Sequence, residues 1–187
     1  MITPSDRLKL LRDGIRENGF VRIMEAHSGI SALVAEAARV QTGSGVVEYD
    51  GIWESSLTDS ASKGLPDVEL IGVESRLHTI NEILEVTRKP LIVDGDTGRS
   101  PIDFEFLVRR LERMGISAVI IEDKVFPKRN SLDTSANQTL ETPSLFAQKI
   151  QRGKSQVLTG DFMIIARLES LIAGTGLEDA LFRAEAY

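Results

Sequence analysis

The chain has 187 residues, a formal net charge of −6 and no cysteine; 42% of its residues are hydrophobic and 27% charged. That excludes disulfides, thiolate metal ligands and cysteine nucleophiles, and the acidic balance argues against a broad nucleic-acid-binding face. No apolar run approaches the roughly 20 residues that span a bilayer, and the N-terminal MITPSDRLKLLRDG lacks the apolar core of a signal peptide. The expectation is a cytoplasmic globular protein with neither membrane nor nucleic acid as a partner.

In chain order, short apolar runs end on polar or acidic residues: RIMEAH (22–27), GIWESS (51–56), PLIVDGDTG (90–98), AVIIEDK (118–124) and FMIIARLES (162–170). Each predicts a strand followed by turn or site chemistry. Helical patterns lie between them. Ser28 is a candidate N-cap before Ile30, Leu33, Val34 and Ala37, and Ser75 before Leu77, Ile80, Ile83 and Leu84. Residues 39–51 predict an exposed hairpin or insertion. In SPIDFEFLVRRLERMG (100–115), Ser100 caps, Pro101 suits the first helical position, Asp103 favours the positive end of the dipole and Gly115 stops the helix. Thr142-Pro143 opens another helix, and Gly176 precedes a last one in which Glu178 and Asp179 favour the start.

Strands alternating with helices imply a parallel sheet, open or closed as a barrel, with functional groups at the carboxyl ends of its strands. Glu25, His27, Glu54, Asp94, Asp96, Glu122, Asp123, Arg167 and Glu169 all fall there. Val119, Ile120 and Ile121 read as buried on both faces, so Glu122 stands at the rim of a core, and a basic loop follows that can fold back over it. Asp94 and Asp96, two apart, would point to one side of a strand and make a hard-oxygen site suited to Mg²⁺. A turn whose aspartates bond backbone amides has the same pattern. Glu122 on the neighbouring strand end favours the metal, since three clustered carboxylates require a cation. Lys128, Arg129 and Arg167 add positive charge for an anionic partner such as a phosphate or carboxylate. Gly174 and Gly176 in IAGTG complete no nucleotide-binding pattern.

MEAHSGISA (24–32), GIWESSLTDSASKGLPD (51–67), DGDTG (94–98), EDKVFPKRNSL (122–132) and ARLESLIAGTGLEDALFRAEAY (166–187) together resemble the phosphoenolpyruvate mutase branch of the isocitrate lyase superfamily. The resemblance implies a TIM-type β/α barrel, here about five of eight strand–helix units as one domain over 1–187, truncated at its C-terminus. It implies Mg²⁺, and a small-molecule substrate interconverted between phosphoenolpyruvate and phosphonopyruvate. Asp94 matches the direct metal ligand, and Asp96, Glu122 and Asp67 match residues that hold its water shell. Trp53, Ser55, Ser56 and Leu57 match the substrate-holding turn, and Arg167 the arginine that anchors a substrate anion. Lys128, Asn130 and Ser131 match a mobile loop that closes over the site, where Lys128 and Asn130 hold the phosphoryl group.

The absence of cysteine argues against the carbon–carbon lyases of the superfamily, and Asn130 favours mutase over phosphonopyruvate hydrolase. An inactive barrel fragment is the third alternative. Neither His27 nor His78 matches the histidine that a later family strand brings to the pocket. A barrel edge left open predicts a chain that is unstable alone, associates (a homo-oligomer among the outcomes) or is only part of a larger protein.

Overall fold

The computed structural model describes residues 2–187. An N-terminal helix, α1 (Pro4–Asn18), precedes β1 (Ile23–Ala26) and α2 (Gly29–Ala37). An antiparallel hairpin follows, β2 (Arg39–Thr42) with β3 (Gly45–Glu48). Next come β4 (Gly51–Glu54), α3 (Ser56–Ser62), α4 (Val73–Val86), β5 (Leu91–Asp94) and α5 (Pro101–Arg113). The chain continues through β6 (Ala118–Glu122), α6 (Pro143–Lys154), β7 (Met163–Arg167) and α7 (Gly176–Ala186).

Five strands pair in parallel in the order β1-β4-β5-β6-β7, which is also their order along the chain once the β2–β3 hairpin is set aside. A doubly wound sheet reverses its strand order and carries helices on both faces. Sequential order with right-handed crossovers puts every connecting helix on one face. The sheet is therefore an arc of a β/α barrel, with β1 and β7 as its edges among the described residues. No helix of the described residues is long and apolar enough to cross a membrane.

Alternation along the strands separates two cores. Ile52, Leu91, Val93, Val119 and Ile121 turn toward the helices and join Ile80, Ile83, Phe104, Val108 and Phe146. Ile92, Ala118 and Ile120 turn to the inner face, with Ile23, Trp53, Met163 and Ile165. Ile120 is only half-buried, because this inner face opens into a cavity. Leu11 of α1 packs against the inner set, and the Ser117 hydroxyl donates to the Arg7 carbonyl at 2.8 Å. This helix thus covers the amino end of the barrel arc, away from the strand ends that carry acidic groups.

Ser28 and Ser100 cap their helices as expected, each within a capping box. The expected cap at Ser75 is displaced: α4 starts at Val73 after an extended Gly72, and Ser75 lies inside its first turn. Its start is set by the preceding loop, whose Ile71 carbonyl accepts from Arg99 at 3.3 Å. Asp179 does more than complement a dipole, accepting from Ser170, Thr175 and Arg183 at 2.6–2.9 Å. The helices α5 and α6 approach closely at Gly153, where a Cβ would overlap the ring of fully buried Phe104. Gly153→Ala is expected to lower stability by about 1–3 kcal/mol, seen as a reduced thermal midpoint with the far-UV spectrum retained.

Candidate active site

The turns after β1, β4, β5, β6 and β7 all meet at one end of the arc. There a cavity of about 470 Å³ is lined by Trp53, Ser55, Ser56, Leu57, Asp67, Asp94, Lys128, Asn130, Ser131 and Arg167, over a floor of Ile23, Ile92 and Ile120. The sequence-predicted residues missing from the lining are Asp96 and Glu122, which stand behind it, almost fully buried. Trp53 packs on the inner core as well as walling the cavity.

The two aspartates are placed by a turn, and strand alternation does not apply to them, because β5 ends at Asp94 and Asp96 lies beyond it in the left-handed region (φ 53°). Gly95 permits this turn. A Cβ there would stand 2.9 Å from the Val119 side chain and 3.0 Å from the Ile120 carbonyl, to which Gly95 N–H donates at 2.7 Å. One Asp94 oxygen accepts from the Ser56 amide (3.3 Å) and hydroxyl (3.0 Å), and the other from the Asp96 amide (3.0 Å). This carboxylate is oriented before any ligand arrives.

Positive charge comes from the loop between β6 and α6, where the resemblance leads one to expect a lid. The buried Lys128 ammonium stands 2.8 Å from Asp96, 3.0 Å from Asp67 and 3.0 Å from the Ser56 hydroxyl. Burial alone would lower its pKa, and the surrounding Asp96, Glu122, Asp94 and Asp67 raise it instead. Asn130 donates to Asp67 at 2.9 Å. Ser131 is a hub: it donates to Glu169 (2.7 Å) and accepts from Lys124 (2.6 Å) and Arg167 (3.1 Å). Arg129, expected to add positive charge for an anionic partner, is instead exposed and lines no part of the cavity. Arg167 lies 3.2 Å from Glu122, whose two oxygens have no hydrogen-bond donor. Burial pushes Glu122 up to about 7 against the pull of Lys128, Arg167 and Lys124.

Some rim residues face elsewhere. Asp123 accepts from Tyr187, Arg183 and the Glu169 amide, holding α7 to the sheet. His27 bonds Glu25 at 3.0 Å, and His78 is a surface residue beside Glu82.

Arg76 was not among the predicted site residues. It is buried on α4 and donates to the Asp94 carbonyl (2.5 Å) and to Asp96 (2.7 Å). Burial would raise the Asp96 pKa, and Arg76 with Lys128 brings it below the ordinary value. Arg76 shares the buried stripe of Ile80 and Ile83 on α4, a helical spacing visible in the sequence. Behind it, Glu54 is fully buried, and neither of its oxygens has a donor. Burial raises Glu54 from 4.5 to about 8, outweighing Arg76, 3.9 Å away. An acid raised on folding loses stability as pH climbs from its unfolded pKa toward its folded one. Glu54→Gln is therefore expected to flatten a decline in thermal midpoint between about pH 5 and 8, measured in parallel with the unsubstituted chain.

The family model described as phosphoenolpyruvate phosphomutase matches residues 11–187. The chain belongs to this family. It is 39% identical over 178 residues to a phosphoenolpyruvate phosphomutase of Tetrahymena pyriformis, an alignment covering 95% of this chain and 56% of that protein. The crystal structure of a phosphoenolpyruvate phosphomutase from Streptomyces platensis subsp. rosaceus superposes with a TM-score of 0.87 at 40% identity, covering 96% of this chain and 60% of the other. A phosphonopyruvate hydrolase structure in complex with oxalate and Mg²⁺ gives a TM-score of 0.82 at 32% identity, covering 97% and 59%. The chain thus spans less than two thirds of the length of these relatives.

In this phosphoenolpyruvate phosphomutase family member the donor set fits a hard cation. Its candidate ligands are all carboxylates: Glu122 Oε1 and Oε2 and Asp67 Oδ1 are buried without hydrogen-bond donors, while Asp96 Oδ1 faces the Lys128 ammonium at 2.8 Å. Among the described residues no three acidic or histidine side chains converge closely enough to enclose a metal. The expected cluster of three carboxylates around a cation is therefore not formed as a closed cage, because Lys128 and Arg76 supply the positive charge beside Asp67 and Asp96. Mg²⁺, which binds one or two carboxylates directly and keeps several waters, needs no such cage.

Proposed function

We propose that the chain interconverts phosphoenolpyruvate and phosphonopyruvate, with Asp94 holding Mg²⁺ directly and Asp96, Glu122 and Asp67 holding its water shell. The observation that carries this reading is the lid. Lys128, Asn130 and Ser131 roof a small cavity whose other walls are Asp94 and Arg167, so an anion bound there would be held by cations and screened from water. Magnesium, when bound, supplies charge stabilisation to the enolate oxygens of pyruvate.

Arg167, with its pKa raised by Glu122 and Glu169 against the effect of burial, remains a fixed positive charge for the substrate carboxylate. Trp53, Ser55, Ser56 and Leu57 shape the wall against which the three-carbon unit lies. Lys128 and Asn130 hold the phosphoryl group from the lid side. From phosphoenolpyruvate, the bond between the enol oxygen and phosphorus breaks, leaving the enolate, and the enolate carbon then takes the phosphorus. No atom enters or leaves, and the lid prevents water from intercepting the phosphoryl group. Hydrolysis of phosphonopyruvate to pyruvate and phosphate is the second reading. It is favoured by likeness to the hydrolase structure, whose bound oxalate presents the same paired oxygens as a pyruvate enolate.

Phosphorus NMR of the chain with phosphonopyruvate and Mg²⁺ tests both. A growing phosphoenolpyruvate signal is expected. Inorganic phosphate in its place would assign the hydrolase, and no product from a folded sample would overturn both in favour of an inactive barrel fragment.

A further inference from the structure

Glu69 lies outside every motif, lines no part of the active-site cavity and is nevertheless buried. Its backbone is in the left-handed region (φ 60°), a conformation that costs a non-glycine residue roughly 1–2 kcal/mol. One carboxylate oxygen accepts from the Thr97 amide (3.2 Å) and hydroxyl (2.8 Å). The other accepts from the backbone N–H of Lys128 at 2.9 Å. Thr97 follows Asp96 in the turn that carries both aspartates, and Lys128 is the lid cation. A single side chain therefore joins the acidic turn to the lid at the residue whose position sets the ammonium. The joint is braced: Arg99, itself at φ 54°, donates to the Glu69 carbonyl at 2.8 Å and stacks over Phe126 of the lid, 5.2 Å from the ring centre.

We propose that Glu69 is a positioning residue that couples the lid to the 94–98 turn, so that Lys128 is held over the cavity only while that turn keeps its folded arrangement. A carboxylate is required because both sides present donors. Glutamine offers one carbonyl oxygen and one NH₂, so it can accept from one side only and faces the other with a donor. The consequence for water exclusion rests on the mutase reading given above; the coupling itself does not.

Amide hydrogen exchange tests the coupling in the unsubstituted chain, Glu69→Gln, Thr97→Val and the double variant, all without metal or substrate. Loss of one such hydrogen bond is expected to speed exchange at the Lys128 amide about tenfold in Glu69→Gln. Thr97→Val, which removes the hydroxyl that donates to Glu69 and accepts from the Arg99 amide at 3.1 Å, is expected to speed exchange at the same lid amide. Combining the two is expected to add nothing beyond Glu69→Gln, the mark of one shared path. Amides of β5 and β6 should exchange unchanged, which separates coupling from general loosening. An unmoved Lys128 amide in Thr97→Val, or effects that simply add, would overturn the proposal. Should Glu69→Gln fail to fold, Thr97→Val decides alone.

A second readout follows phosphonopyruvate turnover by phosphorus NMR. A loosened lid is expected to increase the share of substrate released as phosphate relative to phosphoenolpyruvate, beyond any change in total rate. An unchanged share would remove the role in water exclusion. Absence of turnover even in the unsubstituted chain would count against the mutase reading, while the exchange data would still decide the coupling.

Discussion

Asp94→Ala is expected to abolish turnover and Mg²⁺ binding together. Asp94 is nearly fully buried, and both its oxygens are committed to Ser56 and Asp96. It is the one carboxylate of the proposed metal set whose two oxygens both accept from backbone amides, and the proposed reading makes it the direct ligand. The variant also strands the Ser56 and Asp96 amides, an additional cost of about 1–3 kcal/mol. Calorimetric titration with Mg²⁺ and a product assay, each run on protein shown to be folded, separate the two effects. Retained metal binding in a folded Asp94→Ala protein would show that the cation sits elsewhere.

Lys128→Met carries the other large effect, and its direction depends on the metal. The ammonium contacts Asp67 and Asp96 and lies close enough to Glu122 to oppose the rise that burial imposes on that residue's pKa. Removing one partner from a buried ion cluster costs about 3–5 kcal/mol, because the charges left behind are uncompensated. For a chain of this size that corresponds to a fall in thermal midpoint of roughly 10 °C in the presence of chelator. A divalent cation can restore much of the missing positive charge. Mg²⁺ is therefore expected to stabilise Lys128→Met by more than it stabilises the unsubstituted chain, while turnover stays lost. Equal shifts in the two proteins would show that lysine and cation act on different carboxylates.

The elements that were legible in the sequence share one property: their signal is local. β5 and β6 are uninterrupted apolar runs ending on acids, and α5 carries its cap, first-turn proline and terminal glycine within sixteen letters. The helix α1 carries a comparable start, Thr3 followed by Pro4, but it buries only Arg7, Leu8 and Leu11, too short a stripe to stand out from its mix of charge and leucine. Among site residues, the motif-bearing ones gather at the cavity, whereas Arg76 and Glu69 were missed. An arginine on an amphipathic helix looks solvated unless its phase is compared with Ile80 and Ile83. A glutamate in GLPDVEL has no phase at all, since its burial is created by Thr97 and Lys128, far away in the chain. The placement of Asp96 by strand alternation failed because the strand ends two residues earlier. The turn reaches a similar outcome by a left-handed backbone.

The contacts that build the cavity join residues far apart in the chain. Asp94 meets Ser56 across 38 positions, Lys128 reaches Glu69 across 59, Asn130 reaches Asp67 across 63, and Lys128 reaches Ser56 across 72. The Asp94–Ser56 bond needs β4 beside β5, and those made by Lys128 and Asn130 need β6 as well, so the complete site exists only in the assembled arc. No fragment short of that arc can hold the constellation, and a ligand seated between Asp94 and Lys128 selects the whole fold over every partly folded state. Binding at this one point therefore raises the unfolding midpoint of the entire arc by mass action. Thermal shift thus becomes a direct screen for anions of the right size and charge, independent of whether any of them is turned over.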